Sequence, residues 1–134
     1  MMQILQPPGW ARPKGFANGI AVRGGTTVYI AGQIGWIGEG RFVEQSFAGQ
    51  FKQALANIVA VLAQAGGRPE HLVRLTWYVL DKQEYLGSMR EVGAAWRELI
   101  GRHYPAMAVV QVSGLVEPAA RLEIEATAVI PDAA

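Results

Sequence analysis

Residues 72–80 read Leu-Val-Arg-Leu-Thr-Trp-Tyr-Val-Leu, and this stretch predicts a β-strand. Its residues alternate between two faces: Val73, Leu75, Trp77 and Val79 share one face, and Arg74, Thr76 and Tyr78 share the other. One face is therefore apolar and the other polar. Such a strand is typical of a sheet that has one face against a hydrophobic core.

The segment before this strand predicts an amphipathic helix. Ser46 is a favourable N-cap. The apolar residues that follow are spaced by three and four positions, which places them on one helical face: Phe47, Phe51, Leu55, Ile58, Val59 and Leu62. Gly66 and Gly67 end the helix, and Pro69 follows them.

A second helix is predicted after the strand. Asp81 and Glu84 have the spacing of a capping box, with the aspartate as the cap. The apolar positions again have helical spacing: Leu86, Met89, Val92, Trp96 and Leu99. Gly87 and Gly93 lie within this segment and lower its helix propensity.

The remaining strands complete the predicted architecture. Residues 1–15 are rich in Pro and Gly and predict an extended arm or a short strand; further strands are predicted at 16–22, 27–31, 108–112 and 122–130. The order β-β-α-β-α-β-β predicts one α+β domain over residues 1–134, with two helices on one face of a mostly antiparallel sheet. A doubly wound nucleotide fold is excluded because the last two strands have no helix between them.

Composition excludes several classes of function. The chain has no cysteine, so disulfides, thiolate nucleophiles and zinc ribbons are excluded. Its net charge of +1 gives no electrostatic footprint for nucleic acid or an acidic membrane. Pro7 and Pro8 interrupt the start of the chain, no apolar run is long enough to span a bilayer, and a cytoplasmic protein is expected.

The two histidines, His71 and His103, do not predict a metal site, because they are far apart in sequence and no cysteine accompanies them. His103 follows a helix, where a cationic side chain favours the helix dipole, and His71 is expected to be exposed in a turn. Gly35, Gly38 and Gly40 do not open a helix after a strand, so they predict a turn rather than a dinucleotide site. No cofactor is expected.

Glu123 and Glu125 alternate with apolar residues, so both carboxylates lie on the same face of the last strand. One interpretation is an ordinary solvent-facing side of a sheet. The other is a carboxylate beside a cavity, where it could hold or activate a water molecule. Sequence spacing leaves both interpretations open.

Five segments together resemble the RidA/YjgF family over about Phe16 to Ile130. The first is Ile30-Ala31-Gly32-Gln33-Ile34-Gly35, which is similar to the family's Ser-Gly-Gln-Ile box, and the second is the first-helix pattern formed by Gln50, Ala54-Leu55, Asn57, Leu62 and Ala65-Gly66. The third is Val73 to Asp81, which is similar to the family's central strand. The last two are Pro105-Ala106, the start of its Pro-Ala-Arg motif, and Leu122-Glu123-Ile124-Glu125-Ala126, which is similar to its closing strand.

The resemblance implies a chorismate-mutase-like fold and a homotrimer with pockets between its subunits. It also implies cofactor-free hydrolysis of enamines and imines, in which an arginine binds the substrate carboxylate through two parallel contacts. By this correspondence Glu123 takes the place of the glutamate that positions the attacking water. Gly32 and Gln33 correspond to the early substrate-binding box.

Four positions depart from the family pattern. Met107 stands where the motif arginine is expected, and a thioether cannot pair with a carboxylate. Ala31 replaces the serine of the box, Gly93 falls near a usual asparagine, and Phe16 lies near the place of a pocket tyrosine. Phe16 and Met107 are therefore expected to line a more apolar substrate pocket. The sequence predicts a divergent imine or enamine hydrolase; a non-catalytic trimer that binds a small metabolite is the alternative, and an endoribonuclease is disfavoured by the charge.

Overall fold

The computed structural model describes residues 2–133, which contain eight strands and three α-helices. The strands are β1 (Met2–Leu5), β2 (Gly19–Val22), β3 (Thr26–Gln33), β4 (Trp36–Ile37), β5 (Arg41–Phe42), β6 (Leu72–Val79), β7 (Ala106–Gln111) and β8 (Leu122–Ile130). The helices are α1 (Phe47–Gln64), α2 (Lys82–Gly87) and α3 (Met89–Leu99), and a 3₁₀ turn at Pro69–His71 precedes β6.

The main sheet has the strand order β3-β8-β6-β7. Strand β8 is antiparallel to both of its neighbours, whereas β6 and β7 are parallel. A parallel pair requires a long crossover connection, and α2 and α3 form it. The two small hairpins β1-β2 and β4-β5 lie outside this sheet. The predicted α+β class and mostly antiparallel sheet are confirmed.

The hydrophobic core lies between this sheet and two of the helices. Helix α1 buries one face, as the spacing of its apolar residues predicts. Its N-cap is Ser46, whose side chain accepts a hydrogen bond from the Gly49 amide. Helix α3 packs beside it. The core residues of the two layers are Phe51, Leu55, Ile58, Leu62, Val92, Ala95 and Trp96 from the helices, and Leu75, Trp77, Val79, Leu122, Ile124, Ala126 and Ala128 from the sheet.

The second predicted helix is interrupted. The backbone of Ser88 leaves helical geometry, with φ −114° and ψ 15°, and its amide bonds to the Tyr85 carbonyl instead of continuing the α-helical ladder. Two helices, α2 and α3, therefore replace the single predicted one. Gly87, directly before the break, provides little helix propensity to resist it.

The strand boundaries also differ in detail. The pairing of β6 with β8 shifts register between Leu72 and Arg74, so Leu72 is fully buried while Val73 is only half-buried. The predicted position of Val73 on the core face is wrong, because a bulge reverses the alternation there. The predicted strand at 16–22 is limited to β2, and Phe16 lies in a bend before it.

Both histidines have structural contacts. His103 Nε2 lies 2.6 Å from the carbonyl oxygen of Leu72, which links the end of the α3 segment to β6. His71 is half-buried, not exposed as expected, because its Nδ1 accepts a hydrogen bond of 2.9 Å from the Arg68 amide. Within residues 2–133, no group of three or more acidic, histidine or cysteine side chains is arranged to hold a metal ion. None of the helices in that range is both long and apolar enough to cross a membrane.

Candidate functional site

A cavity of about 410 Å³ lies between α3 and the β6-β7 edge of the sheet. This volume falls within the range of about 300–1,000 Å³ that is usual for small-molecule sites. Phe16 and Met107, both predicted as substrate-binding residues, line it together with Gly93. Three of the four departures from the family pattern therefore meet in one cavity.

Strand pairing explains why Met107 faces the cavity. Strand β7 is in register with β6, so that Met107 lies beside Leu75 and Val109 beside Trp77. Residues of neighbouring strands in register point to the same face. Because Leu75 and Trp77 face the helices, Met107 and Val109 do so as well, and both are half-buried.

The segment before β2 forms one wall of the cavity. Ala17 pairs with Ala106 in an isolated parallel bridge, and its amide donates to the Pro105 carbonyl at 3.0 Å. This contact holds Phe16 over the start of β7. Lys14 and Gly15 continue the same wall.

Five aromatic residues line the cavity: Phe16, Trp77, Tyr85, Trp96 and Tyr104. The rings of Trp77 and Trp96 stack at 6.3 Å between centroids, and those of Trp96 and Tyr104 also stack at 6.3 Å. Tyr85 meets Trp77 edge to face at 5.9 Å. Except for Phe16, these residues were not recognised as a site from the sequence, because aromatic side chains at strand and helix spacing are indistinguishable from ordinary core residues.

One cationic group at the cavity belongs to Arg97. A Cβ atom added at Gly93 would lie 3.4 Å from Nη1 of Arg97, so the guanidinium group lies back over the preceding helical turn. The side chain is exposed, and it forms no ion pair with any other residue between 2 and 133. Sequence reasoning missed Arg97.

A second group of predicted residues lies on the other face of the sheet. Glu123 is in register with Tyr78, which points away from the helices. Its carboxylate packs directly against Gly32, where an added Cβ atom would overlap Glu123 Oε2. Position 32 must therefore be glycine for the Glu123 carboxylate to occupy this place. Gln33 is separate: its amide donates to the Ala31 carbonyl at 3.1 Å, and it lines a different, shallow depression.

The two glutamates of β8 differ in their contacts. Glu125 is exposed and accepts a hydrogen bond of 3.0 Å from the Tyr78 hydroxyl. That bond raises the pKa of Tyr78, and desolvation and the charges of Glu125 and Glu123 act in the same direction. Glu123 is half-buried and forms no hydrogen bond to another residue in the range 2–133. Of the two, Glu123 is the carboxylate with neither oxygen hydrogen-bonded to another residue in that range.

Within one chain, the two groups do not meet. Met107 and Phe16 belong to the cavity on the helical side, whereas Glu123 and Gly32 lie on the opposite face of the same sheet. The sheet stands between them. A single site that uses both groups would require residues from two copies of the chain.

Comparisons with known proteins identify the family to which this fold and these residues belong. The family model described as Endoribonuclease L-PSP matches residues 12–130. This match covers most of the chain, so the protein belongs to that family, which is the RidA/YjgF family that the sequence resembles.

Named relatives agree with this assignment. The chain is 33% identical over 104 residues to the human 2-iminobutanoate/2-iminopropanoate deaminase, covering 77% of this chain and 72% of the human protein. It is 35% identical over 109 residues to a RutC family protein of Pyrococcus horikoshii, covering 81% and 82% of the two chains.

Solved structures share the fold. The Rid family protein YyfB of Yersinia pestis, described as a protein of unknown function, has a TM-score of 0.85 and 30% identity, with 96% of this chain and 98% of that chain covered. RidA of a Psychrobacter species has a TM-score of 0.67 and 29% identity, with 96% and 99% covered. The two sequence identities differ by only one percentage point, yet the backbone of this chain is nearer to YyfB than to that RidA.

Proposed function

We propose that this protein hydrolyses the C=N bond of an imine, or of an enamine that tautomerises to an imine, as a divergent member of its family. The observation that carries the proposal is the packing of the Glu123 carboxylate against Gly32. Two positions that sequence reasoning assigned to the same site, far apart in the chain, adjoin each other. Relatives named as 2-iminobutanoate/2-iminopropanoate deaminases support this reaction class.

The chemistry needs one carboxylate and one water molecule. The water oxygen adds to the imine carbon, while one of its protons passes to Glu123 and then to the imine nitrogen. The resulting carbinolamine transfers its hydroxyl proton to nitrogen by the same route and expels ammonia, leaving a carbonyl product. A positioned carboxylate is suited to such paired proton transfers, and no oxidant or cofactor is required.

We propose further that the complete site lies between two copies of the chain in a homotrimer. The cavity wall with Phe16 and Met107 comes from one copy, and Glu123 with Gly32 comes from its neighbour. The separation of these two groups on opposite faces of one sheet supports this arrangement. Gln33, which follows Gly32, is proposed to help hold the substrate from the same copy as Glu123.

The test of catalysis is the substitution Glu123→Gln, which keeps the shape of the side chain but removes the base. An amino-acid oxidase generates a 2-imino acid in solution, and the protein's acceleration of ammonia release is then measured. We expect the substitution to reduce turnover by about 10²–10⁴-fold. The matched control is Glu125→Gln on the same face of the same strand, which should retain activity. Equal activity of Glu123→Gln and the unaltered protein would contradict the proposal.

A second candidate function is binding without chemistry, and it is favoured by one observation. Met107 in place of the motif arginine leaves a cavity with mainly aromatic and apolar walls. A protein that only holds a metabolite would bind a keto acid in calorimetry and yet leave the rate of imine hydrolysis unchanged. The imine-hydrolysis assay described above therefore distinguishes the two candidate functions.

A further inference from the structure

We propose that Arg97 binds the substrate carboxylate in the Met107 cavity, and that the substrate is a 2-imino acid with an aromatic side group. This inference rests on the proposed function, because it assigns a substrate class and a recognition residue to the same site. It also accounts for the absence of the motif arginine at position 107. The positive charge is supplied from α3 instead of from β7.

Arg97 lies beside Gly93 on the cavity side of α3. The two residues are one helical turn apart, and neighbours at this spacing share a helix face. Nη1 of Arg97 lies 3.4 Å from where a Cβ atom on Gly93 would be, which is an ordinary contact distance, so the guanidinium group lies along the helix beside Gly93. Both residues line the cavity. A side chain longer than that of alanine at position 93 would compete with the guanidinium group for this space.

The acidic residues near Arg97 form no ion pair with it within residues 2–133. Glu98, the adjacent acidic residue on α3, pairs with Lys52 on α1 at 3.1 Å. No carboxylate from residues 2–133 lies within ion-pair distance of Arg97. A planar guanidinium can bind a carboxylate through two parallel hydrogen bonds. Lys14, which also lines the cavity, adds a second positive charge to the same site.

The walls of the cavity select the rest of the substrate. Phe16, Tyr85, Trp96 and Tyr104 present ring faces and edges, and Met107 adds a flexible thioether surface. Aromatic rings favour offset-stacked and edge-to-face contacts with another ring, and methionine sulfur favours contact with aromatic edges. A methyl or ethyl side group would leave most of the roughly 410 Å³ cavity unfilled, whereas a phenyl group would contact several walls.

Calorimetric titration tests the inference with three stable probes. Phenylpyruvate has the carboxylate and the ring, pyruvate lacks the ring, and phenylacetone lacks the carboxylate. We expect phenylpyruvate to bind more tightly than pyruvate. Arg97→Gln should weaken phenylpyruvate binding by about 10-fold or more, and it should leave phenylacetone binding unchanged. Arg97→Lys, which keeps the charge, should recover part of the affinity.

The matched control is Arg90→Gln, which removes an exposed arginine from the same helix outside the cavity. It should leave the affinity for phenylpyruvate unchanged. A structural effect of Arg97→Gln would weaken phenylacetone binding as well, so the neutral ketone separates loss of fold from loss of charge recognition. Equal phenylpyruvate affinity in Arg97→Gln and the unaltered protein, or tighter binding of pyruvate than of phenylpyruvate, would overturn the inference.

Failure of the inference and failure of the proposed function give different results. Imine hydrolysis that depends on Glu123 but not on Arg97 would leave the function intact and remove the role of Arg97. Binding of phenylpyruvate that depends on Arg97, without any imine hydrolysis, would support Arg97 as the carboxylate-binding residue and exclude the hydrolase.

Discussion

Gly32 and Glu123 lie on neighbouring segments of the sheet, and the space that a side chain at position 32 would fill is occupied by the Glu123 carboxylate. We predict that Gly32→Ala lowers imine turnover nearly as much as Glu123→Gln, because the added methyl group displaces the carboxylate. The effect should be non-additive: the double variant should be no slower than Glu123→Gln alone. Steady-state kinetics of the three variants checks this.

The control for this substitution is Gly38→Ala. Gly38 has no positive φ, and an added Cβ atom there would meet nothing within 4 Å. Its activity should equal that of the unaltered protein. If Gly32→Ala retained full activity, the position of Glu123 would not matter for turnover. Glu123 would then be interpreted as an ordinary residue on the polar face of a strand.

A second prediction concerns Met107. The unaltered protein should be slow on 2-aminoacrylate, because the family's bidentate contact to a small carboxylate is missing at this position. Met107→Arg should raise activity on such small substrates, and Glu123→Gln should abolish that gain. Pyruvate formation by the single and double variants measures both effects. Gain of activity that persists in the double variant would show that Glu123 is not the catalytic group.

Some residues of the candidate site could be predicted from the sequence, and others could not. Phe16 and Met107 were identified because they stand at motif positions, and both line the cavity. Arg97 matches no motif. Its place at the cavity depends on how α3 packs against the sheet after the break at Ser88, which the sequence alone does not give.

The junction between α1 and the loop before β8 provides a prediction at the scale of the elements. Gln50 on α1 is 2% exposed, and its amide donates to the carbonyls of Glu44 and Ala119 while its oxygen accepts from the Arg121 amide. We predict that Gln50→Met lowers the free energy of unfolding by about 2–4 kcal/mol, since it leaves these backbone groups without partners. Urea unfolding at fixed protein concentration measures the change.

The matched control is Gln64→Met at the exposed last position of the same helix. Its effect should stay within about 0.5 kcal/mol, as is usual for surface substitutions. An equal loss in both variants would mean that the methionine itself, and not the lost hydrogen bonds, destabilises the protein.

Some boundaries of the helices and strands could be predicted from the local sequence alone. The Ser46 cap, the end of α1 before Gly66 and the limits of β8 were predicted from spacing and turn residues. The bulge at Val73 and the break at Ser88 were not. The bulge is a feature of how β6 pairs with β8, and the break is a local departure of the Ser88 backbone from helical geometry; residue spacing within the element predicts neither.

At the scale of the whole molecule, we predict a homotrimer with a mass three times that of the 14.5 kDa chain. Light scattering coupled to gel filtration measures this mass. A stable monomer at micromolar concentration would contradict both the trimer and a site shared between copies.

Co-expression provides a sharper prediction about the shared site. Chains with Glu123→Gln should be combined with chains with Met107→Glu, whose added carboxylate repels an anionic substrate. In random trimers, about one site in four would combine the two unaltered halves, because each half comes from a different copy. Activity should therefore return in the mixture. Two inactive variants that remain inactive when mixed would contradict a site shared between copies.

A further prediction concerns nucleic acid, since the family description includes endoribonuclease. Lys and Arg number 12 and Asp and Glu 11, so basic residues exceed acidic ones by only one, which gives little net attraction for a polyanion. We expect no submicromolar binding of single-stranded RNA at physiological salt. Tight binding that falls steeply as salt is raised would contradict this expectation.

The order of strands in the main sheet has a consequence for biosynthesis. Strand β8 lies between β3 and β6, although it follows both in sequence. During translation, β3 therefore has no sheet partner until residues 122–130 have emerged from the ribosome. Long-range pairing of this kind slows folding and lengthens the exposure of unpaired apolar strands. Nascent chains that stall before Leu122 should hence depend on chaperones, because they lack the strand that joins the two halves of the sheet.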